Sequence, residues 1–165
     1  MFPAPEVWAR IDAVEAKLAE LDPIIESFCE RRGLRFSKMV DENRTLWPRR
    51  GMWVREDIDR CIHLTMDLTV AEVMERGFYP EMPWSLHADA SLPIEKGQPP
   101  RSLDIDVFRG VPYSRLAEVL GQGLEDGLSA LRRLSREDVI ARGAVVGLPP
   151  GSRGGNGPSL QHRSG

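Results

Sequence analysis

Cysteine is nearly missing from this chain, histidine is scarce, and no catalytic signature is present. Cys29 and Cys61 are too few for a disulfide framework, and no CxxC spacing points to a zinc finger or a dithiol redox motif. Both are read as buried small apolar residues rather than reactive thiols, and two lone thiols fit a reducing compartment. No GxSxG, P-loop, GxGxxG or HExxH sequence occurs, and the run Gly151-Ser152-Arg153-Gly154-Gly155 has neither strand nor helix around it. Ser114 has no adjacent histidine, so no nucleophile is assigned. Nothing approaches the roughly 20 consecutive apolar residues that span a bilayer. The start, Met-Phe-Pro-Ala-Pro-Glu, lacks the basic and apolar regions of a secretory signal. The expectation is a soluble, cytoplasmic protein. Charge of one sign is not in excess either: 22 basic residues meet 25 acidic ones, for a net charge of −3 and a pI near 5.7. Nucleic acid therefore has no global attraction to this chain.

What is present is ordinary material for one folded domain. The chain has 165 residues, 41% hydrophobic and 28% charged, enough to bury a core without staples. The organising stretch is Ile58 to Leu68. Ile62, Leu64, Met66 and Leu68 alternate with Cys61, His63, Thr65 and Asp67, the period-two pattern of a half-buried strand. Trp84 to Leu92 repeats it, with Ser85, His87, Asp89 and Ser91 on the polar side. Leu103, Ile105 and Val107 against Asp104 and Asp106 give another strand. Leu34 to Val40 is short and extended. Thr45 to Asp57 is broken by Pro48 and Gly51 into two pieces, with Met52 and Val54 on one face and Trp53 and Arg55 on the other.

Helical spacing brackets these strands. Trp8, Ile11, Val14, Leu18, Leu21, Ile25 and Phe28 form one stripe, stopped by Gly33. Pro23 predicts a kink within it, or a restart with Asp22 as N-cap and Pro23 at N1. Leu116, Leu120, Leu124, Leu128 and Leu131 mark a second long helix, from Pro112 or Ser114 to Leu134. Gly121, Gly123 and Gly127 within it predict close approach to another element, such as a tryptophan. Thr69 to Arg76 reads as one or two helical turns or a loop, and Ser135 with Asp138 as a capping box opening a short helix that ends at Gly143. From Pro149 onward the Gly-, Ser- and Pro-rich composition predicts a disordered tail. No internal repeat is visible. The expected architecture is a single α+β domain over residues 1–148, with residues 149–165 as tail. Its antiparallel sheet has about four to five strands, one face packed by the long N-terminal and C-terminal helices. This element order is similar to that of the small dimeric chaperones that hold type III secretion effectors, a resemblance of order alone.

With the apolar faces turned to the helices, the other face shows Asp59, Cys61, His63, Thr65, Asp67, Ser85, His87, Asp89, Ser91, Asp104 and Asp106, joined by Trp53 and Arg55. The leading expectation is a non-catalytic domain, chaperone-like or immunity-protein-like, that uses this open face or an edge strand to bind another protein. Trp47, Arg49, Trp53, Arg55, His63, Asp67, His87 and Asp89 are its binding residues, tryptophan and arginine being frequent at binding hot spots. A homodimer is one form such binding takes, and no cofactor is expected. The competing reading is a small enzyme, metal-dependent or acid–base, centred on His63 and His87 with Asp67 or Asp89, because imidazole and carboxylate suit first-row divalent ions. A third is anion or single-stranded nucleic-acid binding by the segment Arg31–Arg60, where nine basic residues face five acidic ones and Trp47 and Trp53 are interleaved. Pairing of those arginines with aspartates across the sheet is the plainer expectation for that segment. The separation of His63 from His87 decides between a site and scattered polar groups.

Overall fold

A computed structural model describes residues 5–39, 48–92 and 101–145. Its elements run α1 (Pro5–Ala19), α2 (Asp22–Arg32), β1 (Arg35–Met39), β2 (Arg49–Arg55), β3 (Asp59–Met66), α3 (Val70–Arg76), β4 (Pro83–Ser91), β5 (Arg101–Pro112), α4 (Tyr113–Arg132), α5 (Arg136–Arg142) and β6 (Ala144–Val145). The six strands form one antiparallel sheet in chain order. The α+β class therefore holds, with a sixth strand that the sequence did not announce. Trp47, the tail from Pro149 and residues 93–100 of the expected loop lie outside the described residues.

The alternation of the central strands sets the layers. Ile58, Ile62, Leu64, Trp84, Leu86, Ala88 and Ala90 are fully buried toward the helices. Their neighbours Cys61, His63, His87 and Asp89 remain half-exposed on the other side. α4 packs across β3, β4 and β5, while α2 packs beside α4 and against β1, and α1 packs against α3. Burial of Leu116, Leu120, Leu124 and Leu131 under α4 contributes about 1.5–3 kcal/mol per side chain.

Two glycines of α4 explain how closely it lies on the sheet. A Cβ at Gly123 would sit 2.9 Å from Phe108 and 3.1 Å from Leu86, and one at Gly127 would sit 3.2 Å from Val107. The close approach is thus to β4 and β5, not to a tryptophan. Gly121 has nothing within 4 Å and plays no part in it.

Three local expectations are corrected. The N-terminal stripe does break before Pro23, but Leu21 is the N-cap of α2 and makes no side-chain cap. Asp22 is instead turned inward to Arg50 and Lys38. Gly51 does not interrupt β2, which pairs continuously with β3 from Arg50 to Arg55. β5 continues past Val107 to Pro112, because register shifts opposite Trp84–His87 let it bend and keep pairing. Asp67 and Ser85 fasten this irregularity. The Ser85 hydroxyl donates to Asp67, and the Gly110 amide donates to Asp67 Oδ2 at 3.1 Å. Gly110 itself has φ 64°, a left-handed conformation that glycine adopts without a Cβ penalty.

Two arginines from the locally basic segment point into the protein. Arg50 is fully buried, donating from Nε to Asp22 Oδ1 at 2.7 Å and from Nη1 to Glu15 Oε1 at 2.8 Å. Arg60 caps the end of α4, donating to the carbonyls of Leu131 at 3.1 Å and Leu134 at 2.9 Å. Both positions are in phase with core residues, Arg50 with Met52 and Arg60 with Ile62. Arg50 therefore pairs with helix carboxylates across the layer. Arg55 makes the expected cross-strand pair with Asp59, at 2.9 Å. No described helix is long and apolar enough to cross a membrane.

Candidate metal centre

The ladder between β3 and β4 decides the site. Its register places His63 opposite His87 and Cys61 opposite Asp89. Residues two apart on a strand share a face, so these four side chains rise from the corners of one rectangle on the open side. The imidazole rings of His63 and His87 stack with centroids 5.2 Å apart and planes 24° from parallel. His63 Nε2 lies 3.4 Å from Asp89 Oδ2, with side-chain exposures of 19% and 26%. Donor atoms of Cys61, His63 and Asp89 all lie within 4.8 Å of one another.

Neighbouring strands complete the surroundings. Gly51 on β2 faces His63, is itself buried, and brings no side chain to that flank. Asp106 is opposite His87 and Asp104 is opposite Asp89 on β5. Ser102 Oγ donates to Asp104 at 3.1 Å, and Arg109 lies 3.7 Å from Asp106. Beyond Cys61, Trp53 on β2 carries the Arg35 guanidinium 4.9 Å above its ring.

Electrostatics follow from this geometry. Burial works against a charge on His63, but its hydrogen bonds with Asp89 and Cys61 outweigh that, and its pKa is pushed up to about 10. His87 is shifted the other way, first by burial and then by the charge on His63, with Asp89, Asp104 and Asp106 acting in opposition. A point between a thiol, an imidazole and a carboxylate thus stabilises positive charge. A proton and a metal cation are alternative occupants of such a point.

Of the residues expected on this face, the structure brings His63, His87 and Asp89 together. Asp67 is not among them, since it lies past the end of β3 and is committed to Ser85 and Gly110. Arg49, Trp53 and Arg55 lie along β2, in phase with one another. Cys29 is buried as expected, at 3% exposure, but Cys61 is half-exposed beside His63. The alternation had put Cys61 in phase with His63, and the Cys-x-His spacing on a strand was the available signal. Comparison with protein-family models, curated proteins and solved structures finds no match.

Proposed function

We propose that this protein binds a divalent transition-metal ion of the zinc class on its open sheet face, through the Cys61 thiolate, the His63 imidazole and the Asp89 carboxylate. The convergence of those three donors within 4.8 Å carries the reading. Zinc takes sulfur, nitrogen and oxygen donors at about 2.0–2.3 Å, so tetrahedral donors lie about 3.3–3.8 Å apart. His63 Nε2 and Asp89 Oδ2 already meet that spacing at 3.4 Å. Calcium and magnesium, which take oxygen donors, are disfavoured by the thiol and imidazole. Holding the donors on paired strands rather than a loop limits the rearrangement that binding requires.

The test is metal analysis of protein purified without a histidine tag, followed by zinc reconstitution and equilibrium dialysis. Near-stoichiometric zinc in the wild type, lost in Cys61→Ser and His63→Ala, is the expected result. A well-folded wild type that retains no zinc and takes up none on reconstitution refutes the reading.

A second reading is favoured by one separate observation, the Arg35–Trp53 stack beside the cluster. It makes this end of the face a docking point for a protein with an acidic segment, since Arg55 shares the face with Trp53. If a stoichiometric partner bound equally well to wild type and to a Trp53→Ala, Arg35→Glu variant, that reading would fail.

A further inference from the structure

We infer that His87 is the fourth protein ligand of this centre, closing it as a Cys-His-His-Asp site that holds its ion without leaving a position for substrate. The inference rests on the metal-binding reading and assigns the site a holding role rather than a catalytic one. Structural zinc sites are closed by four protein ligands, whereas catalytic sites keep one position for water or substrate.

Register carries the argument. His87 faces His63 directly, and Asp89 faces Cys61, so two ladder pairs supply four potential ligands from one face. Cross-strand Cβ atoms lie ~5 Å apart and same-face residues along a strand ~7 Å apart, so the four Cβ atoms form a rectangle whose middle is a little over ~4 Å from each corner. The longer imidazoles span that distance, and the shorter Cys61 thiolate draws the ion toward its own corner. The ring of His87 is already within stacking distance of His63, at 5.2 Å between centroids. Stacked rings cannot both aim a lone pair at one ion, so binding requires His87 to turn about its side-chain bonds. The backbone ladder does not need to move.

The surroundings of His87 provide a second, independent indication. A metal-bound histidine commonly donates its other ring N–H to a carboxylate, which fixes the ring orientation. Asp106 is the direct cross-strand partner of His87 on its far side from His63. Its position therefore matches the outer carboxylate of a histidine that ligates on the His63 side. Gly51 on the opposite flank offers no competing ligand.

Cobalt(II) substitution tests the assignment on the full chain. The wild type is expected to show the intense visible bands of tetrahedral cobalt, together with a sulfur-to-cobalt charge-transfer band from Cys61. His87→Ala should keep the charge-transfer band, lose visible intensity as water enters, and bind at least about 10-fold more weakly. Asp106→Asn should weaken binding by about 10-fold or more with the tetrahedral spectrum retained. If His87→Ala folds poorly, nitrogen-15 imidazole spectra of the wild type with zinc give the same answer, since ring resonances of both His63 and His87 should shift. Movement of His63 alone, or a His87→Ala variant with wild-type spectrum and affinity, overturns the fourth ligand while leaving the metal site standing. Absence of any charge-transfer band in the wild type overturns both.

Discussion

Replacing Arg50 with methionine should cost this fold about 3 kcal/mol, and the structure shows where that figure comes from. The Arg50 side chain is fully buried, Asp22 is 6% exposed and Glu15 is 23% exposed. Breaking a buried pair by removing one partner costs about 3–5 kcal/mol, because the remaining charge is left uncompensated. Two features put Arg50→Met at the lower end. Glu15 can turn toward water, and Asp22 keeps Lys38 Nζ at 3.2 Å as well as a favourable place in the first turn of α2. Against a typical domain stability of about 5–15 kcal/mol, the loss is large. For a chain of this size, 3 kcal/mol corresponds to a fall in Tm of about 6–12 °C. Urea unfolding followed by circular dichroism measures it, provided the slope of the transition is unchanged. The diagnostic control is the variant in which Glu15, Asp22 and Arg50 all become apolar residues of similar volume. It should recover much of the loss, since a buried ion network is often replaceable by packed hydrophobic groups. A single substitution costing under about 1 kcal/mol, or a triple variant worse than the single one, would refute the reasoning from desolvation.

Other expectations follow from particular contacts. Gly121→Ala should stabilise by up to about 1 kcal/mol through helix propensity, since nothing lies within 4 Å of the new methyl. Gly123→Ala should destabilise by about 1–3 kcal/mol by driving a methyl against Phe108 and Leu86, and thermal denaturation of the pair should show opposite signs. In the metal-free native protein one thiol should react with an aromatic disulfide reagent. Cys61 is half-exposed, while burial, and secondarily the charge of Glu26, push the Cys29 thiol up to about 11. Two thiols reacting equally fast without denaturant would contradict that burial, and zinc should protect Cys61. Arg60→Met should cost roughly 1–3 kcal/mol by uncovering the carbonyls of Leu131 and Leu134. Amide exchange should then speed up at the end of α4 before it does in β4, and uniform acceleration would argue against a local capping role.

Much of the layering was legible because a strand exposes its two faces with period two whatever its neighbours are. Leu64 and Leu86 went inward and His63 and His87 outward on that basis alone. The same rule contained two signals that hydrophobicity obscured. Arg50 and Arg60 sit at inward-facing positions, where a charge demands partners, yet those partners come from α1, α2, α4 and the β2–β3 turn. β6 was invisible because two residues cannot show a period.

The chain by itself fixed which residues share a face: Cys61 with His63, and His87 with Asp89. Only the tertiary structure decided which of them meet. β3 and β4 are joined through α3 rather than by a tight turn, so no local turn geometry sets their register, and a slip of two residues would keep every face while separating the histidines. The register was set by burial of Leu64 against Leu86 and Ile62 against Ala88 beneath α4. The site on the open face is thus positioned by packing on the closed one.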